Sequence, residues 1–307
     1  MSGISFTGRV AVVTGAGGGL GRSYALDLAS RGAKVVVNDL GGDIRGTHGG
    51  TDMADQVVAE ITALGGDAIA NYDTVATREG GRAIVDSAMD AWGRVDIVIN
   101  NAGNIINGPF ADLSAEQIGS LLAVHVKGAF YVTQPAFDVM RRNGYGRIVF
   151  TSSSAGVFGS PEQANYAAAK TAMIGLTNVV ALEGGPHGIL ANAVLPYTPS
   201  RMSAAMNPSH LTSLRDVAGG PAHSEPEMVS ALVCYLASDA NTYNKEIYSV
   251  ARGRFARVFV AVTLGWHVKP AEPVATAEDV AAHIALIRDQ AGYAVPASML
   301  DEFKQIR

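Results

Sequence analysis

The chain has 307 residues, 48% of them hydrophobic and 17% charged, the balance of a globular protein with a sizeable core. A net charge of −5, with Lys and Arg scattered rather than clustered, argues against nucleic acid as a partner. The lone Cys234 excludes an internal disulfide, the opening "MSGISFTGRV" lacks a signal peptide's basic start and apolar stretch, and no run reaches the ~18 apolar residues of a spanning helix. A reducing, cytoplasmic setting away from membranes is the expectation.

Along the chain, short β-branched runs alternate with segments whose apolar residues recur at helical spacing. Strand 9–14 ("RVAVVT"), helix 20–30, strand 34–38 ("KVVVN"), helix 51–64, strand 67–72, helix 80–91, strand 96–100 ("DIVIN") and a long helix 115–140 make up the first half. Strand 146–151 ("GRIVFT"), helix 163–183, strand 189–195, helix 227–237 and strand 246–250 follow. Most of these strands are apolar throughout, as expected where helices cover both faces of a sheet. Right-handed crossovers then predict one doubly wound, Rossmann-type α/β domain over 1–250, with a mostly parallel seven-stranded sheet. Residues 251–307 form a C-terminal extension, expected to pack on the core or a subunit interface. Within it, "ATAEDVAAHIALIRDQ" reads as an amphipathic helix with Thr276 as N-cap and Glu278 and Asp279 in the first turn.

"TGAGGGLG" (14–21) joins the first strand to the first helix. Glycines at 15, 19 and 21 permit a tight turn and let phosphate oxygens approach the helix N-terminus without meeting a Cβ, so a pyrophosphate is the natural occupant. Asp39 ends the second strand, 18 residues beyond Gly21. A carboxylate there accepts hydrogen bonds from a ribose diol and repels a 2′-phosphate, favouring NAD over NADP. Gly18, which offers no basic side chain to a 2′-phosphate, points the same way. Arg45 keeps NADP open, and Asp39 also has a plainer reading as the opening residue of the turn "DLGGD".

"YAAAK" places Tyr166 and Lys170 on one helix face. An ammonium beside a phenol stabilises the phenolate and draws its pKa down from ~10, which suits proton transfer to or from a substrate oxygen while a nicotinamide handles hydride. Ser153, in "TSSSAG" after a buried strand, is the expected holder of that oxygen; Ser152 and Ser154 are the competing assignments.

With "TGAGGGLG", "NNAG" (100–103), "SSSAG" and "YAAAK" in this order, the chain resembles the short-chain dehydrogenases/reductases over about residues 5 to 250. The resemblance implies that Ser153, Tyr166 and Lys170 are catalytic, with Tyr166 the general acid/base and Lys170 also on the nicotinamide ribose. It implies a cofactor groove of Gly15, Gly19, Leu20 and Gly21, with Asp39 at the ribose and Asp73 and Thr74 near the adenine. Asn101, Ala102 and Gly103 would line the groove, and Pro196 and Thr198 would meet the nicotinamide end. It implies a homodimer or homotetramer. "RSYALDLASRGAKVVVNDLGGDIRG" and the insertion "LGGDIRGTHGG" further resemble the (3R)-hydroxyacyl-CoA dehydrogenase region of peroxisomal multifunctional enzyme type 2 and its bacterial relatives. That implies NAD as cofactor and an acyl-CoA or steroid-like small molecule as substrate.

Two positions depart from the family pattern: Tyr197 replaces the usual glycine after the proline of "LP", and His125 in "HVKG" stands where many members carry a relay asparagine. His125 reads either as a relay histidine or as a packing one. No histidine shows metal-ligand spacing, so no metal is expected. The long segment 196–228, with Met202 and Met206, reads as a substrate lid. A catalytically silent NAD-binding sensor or scaffold, and a nucleotide-sugar epimerase or dehydratase, are the alternative readings. The intact Ser153, Tyr166 and Lys170 oppose the first alternative; "NNAG" and the lack of a large C-terminal substrate domain oppose the second.

Overall fold

A computed structural model describes residues 3–43, 49–199, 223–269 and 271–304. The expected lid with Met202 and Met206, and Arg45 of the insertion, fall mainly or wholly outside them. Contacts divide the chain into two units, Met1–Arg257 and Val258–Arg307.

The first unit is built on β1 (Val10–Thr14), β2 (Lys34–Asn38), β3 (Asp67–Asn71), β4 (Ile97–Asn100), β5 (Gly146–Thr151), β6 (Ile189–Tyr197), β7 (Ile247–Ala251) and β8 (Arg254–Val258). They form one sheet in the order β3-β2-β1-β4-β5-β6-β7-β8. The first seven strands pair in parallel. Order reverses between β1 and β4, and in open α/β sheets ligands bind in the crevice at the strand C-termini beside such a switch. The sheet therefore has eight strands rather than the expected seven. The extra one, β8, turns back after Arg252 and Gly253, both at positive φ. Its arginines are exposed or pair sideways, as Arg257 does with Glu246 at 3.2 Å, so it carries no apolar run to announce it.

The helices are α1 (Gly19–Ser30), α2 (Asp52–Ala63), α3 (Arg78–Trp92), α4 (Ala115–Leu122), α5 (Gly128–Asn143), α6 (Ser154–Phe158), α7 (Ala164–Gly184) and α8 (Pro226–Ala237). Their inward faces bury Tyr24, Leu28, Val57, Ile61, Val229 and Val233 against β1, β2 and β4. At the strand N-termini, fully buried Asp96 accepts from the Val10 N–H at 2.8 Å and pairs with Arg94 and Arg9, tying β4 to β1. This leaves the opposite edge for ligands.

The single helix expected over 115–140 is two helices joined by a π-turn, Ala123–Lys127. A capping box of Ser114 and Gln117 starts α4, and the Gly128 N–H reaches back five residues to the Ala123 carbonyl. A π-turn adds one residue without breaking the apolar pattern, and such turns concentrate at functional sites.

The second unit holds α9 (Ala277–Ile287), α10 (Met299–Phe303) and an antiparallel bridge between Val262 and Ala294. The expected Thr276 cap is present as a full capping box with Asp279. Trp266 stacks on His283 at 4.0 Å between ring centroids, and none of this unit's described residues is buried. No helix among the described residues is long and apolar enough to cross a membrane.

Candidate active site

The glycine turn is held by contacts that leave no room for a side chain at Gly15 or Gly21. A Cβ at Gly15 would lie 2.8 Å from the Ala102 Cα, and one at Gly21 only 2.1 Å from the Gly15 carbonyl oxygen. Asn101 closes the arrangement, its Nδ2 donating to the carbonyls of Thr14 and Gly15, each at 3.0 Å. Thr14 answers from β1: its hydroxyl oxygen accepts from the N–H groups of Asn101 and Ala102, each at 3.1 Å. Sequence reasoning assigned Thr14 no role, although a hydroxyl at the end of a buried strand is a usable signal. Leu20, in the first turn of α1, packs partly buried against the core.

Beside this turn, Asp39 presents its carboxylate at the end of β2. Oδ2 accepts from the Gly17 N–H and Oδ1 from the Gly41 N–H, both at 2.8 Å. Asp73 follows β3, with Oδ2 accepting from Asn71 Nδ2 at 2.8 Å and its carbonyl accepting from buried Asn38 Nδ2 at 2.9 Å. The Thr74 hydroxyl oxygen accepts from the Ala76 N–H. Pro196 lies near the end of β6, and the Thr198 hydroxyl donates to the Ser224 carbonyl at 2.6 Å.

Across the switch point, the serine run after β5 separates by direction. Ser152 turns inward and donates to the Lys170 carbonyl at 2.7 Å, anchoring α7, while Ser154 is exposed. Ser153 caps α6, accepting from the Ala155 N–H at 3.2 Å, and its hydroxyl lies near enough to Tyr166 to lower the phenol's pKa. One turn along α7, Lys170 is buried, its Nζ 5.5 Å from the Tyr166 ring centre and donating to the Thr151 carbonyl at 2.8 Å. The three side chains therefore converge from β5 and α7.

Burial dominates the electrostatics. It pushes the Tyr166 phenol above its ordinary value while the Ser153 hydroxyl pulls it back, and it brings the Lys170 ammonium down to about 7. The expected lowering of Tyr166 by Lys170 is thus not what the protein alone shows, because desolvation penalises both charged forms.

His125, in the π-turn, is buried with its ring edge-to-face on Tyr166, centroids 5.6 Å apart. Its Nε2 lies 2.8 Å from the Asn104 carbonyl and 3.1 Å from the Asn104 N–H. A Cβ on Gly103 would lie 2.5 Å from His125 Cε1, so the glycine of "NNAG" makes room for the imidazole. Burial, then the nearby Lys170 charge, lower His125 to about 3. The ring is therefore neutral at physiological pH, and Asn104 meets Nε2 in either tautomer, its N–H donating to a bare nitrogen or its carbonyl accepting from a protonated one. A cavity of about 10 Å³, room for about one water, is lined by Thr14, Asn100, His125, Thr151 and Lys170. The Thr151 hydroxyl is buried without a partner among the described residues.

A sign follows for acid stability. Between pH 6.5 and about 3 the unfolded chain takes up a proton that folded His125 refuses, so stability falls as pH drops through that window. His125→Asn should flatten this acid limb, worth on the order of 5 kcal/mol in full, as thermal melts from pH 7 to 4 would show. It should also keep kcat within about tenfold, since removal of a group that itself transfers the proton typically costs ~10²-fold or more.

The model of the family described as "short chain dehydrogenase" matches residues 9–210. The chain is a short-chain dehydrogenase. Similar relatives include a short-chain type dehydrogenase/reductase of Mycobacterium tuberculosis, 43% identical over 92% of this chain and 95% of its own length. Peroxisomal multifunctional enzyme type 2 of Mus musculus is 42% identical over 90% of this chain, which spans only 36% of that protein. Among solved structures, a 7α-hydroxysteroid dehydrogenase complexed with NADH and 7-oxo glycochenodeoxycholic acid aligns with a TM-score of 0.72. It is 28% identical and covers 81% of this dehydrogenase and 94% of its own chain.

The residues present fit a dinucleotide. At the N-terminus of α1, Gly18 supplies no side-chain cap and the first turn holds no acidic residue, so its N–H donors are unclaimed by side chains. Gly19, at φ +53, has open space where a Cβ would stand. In this dehydrogenase Gly15, Gly19, Gly21 and the α1 N–H groups would hold the pyrophosphate, and Asp39 the ribose.

Proposed function

We propose that this short-chain dehydrogenase interconverts a secondary alcohol and a ketone with NAD, and that its substrate is a 3-hydroxyacyl-CoA thioester. The observation that carries the chemistry is the convergence of Ser153, Tyr166 and Lys170 beside the glycine turn. The Ser153 hydroxyl lies beside the Tyr166 phenol, so an alcohol oxygen entering between them can accept from Ser153 and donate to Tyr166. Tyr166 then takes the hydroxyl proton as the carbonyl forms, and returns it in the reverse direction. Bound NAD supplies the hydride acceptor. Lys170, held by the Thr151 carbonyl one helical turn from the phenol, steadies the phenolate when it carries its proton.

The 3-hydroxyacyl-CoA assignment is supported by the multifunctional-enzyme relative. NAD is supported by Asp39 and by the NADH in the solved hydroxysteroid dehydrogenase, whose bile-acid ligand also motivates a second reading, a hydroxysteroid substrate. Nicotinamide absorbance followed with NAD and NADP against 3-hydroxyacyl-CoA thioesters of both configurations, hydroxysteroids and simple secondary alcohols tests these readings together. Turnover with NAD on the thioesters is expected, and turnover confined to steroids would transfer the assignment. Tight NADH binding with no turnover on any of them would instead favour a silent binding protein.

Asp39→Ala should lower the preference for NAD over NADP by about tenfold or more, the worth of a charge-assisted hydrogen bond. An unchanged preference in parallel kinetics would place the determinant elsewhere.

A further inference from the structure

Neither backbone donor that holds the Asp39 carboxylate belongs to the glycines that the turn itself requires. The Gly17 N–H reaches Oδ2 and the Gly41 N–H reaches Oδ1, each at 2.8 Å. A carboxylate has about four acceptor positions, so each oxygen keeps one for a ligand while the group as a whole is fixed in orientation. We infer that Gly17 and Gly41 are positioning residues for cofactor choice, setting the Asp39 carboxylate where it accepts from a ribose diol and shuts out a 2′-phosphate. This rests on the reading that Asp39 meets the ribose.

The two glycines are required for different physical reasons. Gly17 lies outside the positive-φ set, so its backbone angles tolerate any side chain. Its constraint is contact: a Cβ would stand 2.8 Å from Asp39 Cγ, 2.9 Å from Oδ2 and 2.7 Å from the Met53 Cβ of α2. Met53 blocks retreat on one side, so the added carbon must displace the carboxylate. Gly41 has φ +72, and a Cβ there would meet the Gly50 carbonyl oxygen at 2.0 Å. Gly50 in turn donates to the Leu40 carbonyl at 2.9 Å, closing the neck of the insertion that begins after β2. The insertion is thereby built into the cofactor site, because its neck delivers the donor that holds Oδ1. Asp39's own N–H is fixed on the Asn71 carbonyl at 3.0 Å, so the main chain leaves the carboxylate little freedom to follow if either donor moves.

The test is equilibrium binding, by fluorescence titration of NADH and NADPH against the full chain and its variants. Gly17→Ala and Gly41→Ala should each weaken NADH much more than NADPH, lowering the NADH preference by about tenfold, the loss of one hydrogen bond to a charged group. Gly66→Ala is the control for general damage. Its Cβ would press on Ile61 at 2.7 Å, away from Asp39, and should leave the preference unchanged. Asp39→Ala separates the levels of the argument. If it leaves the preference untouched, the ribose reading itself fails; if it lowers the preference while both glycine variants lose NADH and NADPH equally, only the positioning role fails. In the Asp39→Ala background, adding Gly17→Ala should shift the preference no further, because the route through the carboxylate is already gone. A further full shift there would overturn the inference, and if one glycine variant fails to fold the other carries the same comparison.

Discussion

Tyr166→Phe should lower kcat for alcohol oxidation by about 10³-fold or more while NADH binds within a few-fold of the parent, because only the group that takes the proton is lost. The phenol stands on α7 beside the Ser153 hydroxyl, with the neutral His125 ring at its edge. Phenylalanine keeps the ring and its contact with His125, so the fold should be unchanged in a thermal melt. The direction of the Tyr166 shift adds a pH signature. Burial holds the phenol above its ordinary value, so oxidation should speed up, and ketone reduction slow down, as pH rises above neutrality. Steady-state rates in both directions across pH 6 to 10 check this. Near-parental turnover by Tyr166→Phe would remove the residue from the chemistry.

Lys170→Met should separate activity from stability. Turnover should fall by about 10²-fold or more, because the positive charge that steadies the phenolate is gone. The cofactor-free protein should become more stable at neutral pH and below. Burial brings the Lys170 ammonium to about 7, against 10.5 for a free lysine, so folding carries the cost of a buried charge below pH 7 and is relieved of it as pH rises toward 10.5. That cost is on the order of 5 kcal/mol, the bond to the Thr151 carbonyl being already in place. A gain of a few kcal/mol is expected at pH 7, shrinking as pH rises toward 10.5. Methionine suits the site, which already includes Met173 and Val75 among its lining residues. Urea unfolding at the two pH values measures the difference, and a destabilised variant at pH 7 would show that Lys170 stabilises the fold instead of straining it.

The strand, glycine turn and helix start that make the candidate cofactor site were legible because their requirements are local. A buried strand, a turn without side chains and a helix start must follow one another in sequence, and an acid must end the next strand. The central strands were equally plain, since β1, β2, β4 and β5 each carry an unbroken apolar run, whereas β7, with Tyr248 and Ser249 in it, was less so. β8 escaped because an edge strand is selected to be polar; its Arg254 and Arg257 make it read as a loop. The π-turn escaped because one inserted residue leaves apolar spacing nearly intact while swinging His125 inward. Long-range geometry was out of reach in principle. Ser153 was the serine chosen from the sequence, but dismissing Ser152 and Ser154 required knowing which way each hydroxyl leaves the end of β5, and the donors on Asp39 come from residues 22 positions before and two after it. The sense of the Tyr166 shift was misjudged for a related reason: spacing on a helix reveals the partner charge but not the depth of burial, and burial dominates here.

The central claim is that hydride leaves the carbinol carbon of a 3-hydroxyacyl-CoA for NAD while Tyr166 takes the proton. A thioester carrying deuterium at C3, incubated with the protein and NAD, puts that to the test by NMR of the nicotinamide. One deuterium per reduced nicotinamide, with the 3-oxo thioester formed in equal amount and neither made by Tyr166→Phe, is the predicted result. Reduced nicotinamide without deuterium, or no reduction while NADH binds tightly, would contradict it.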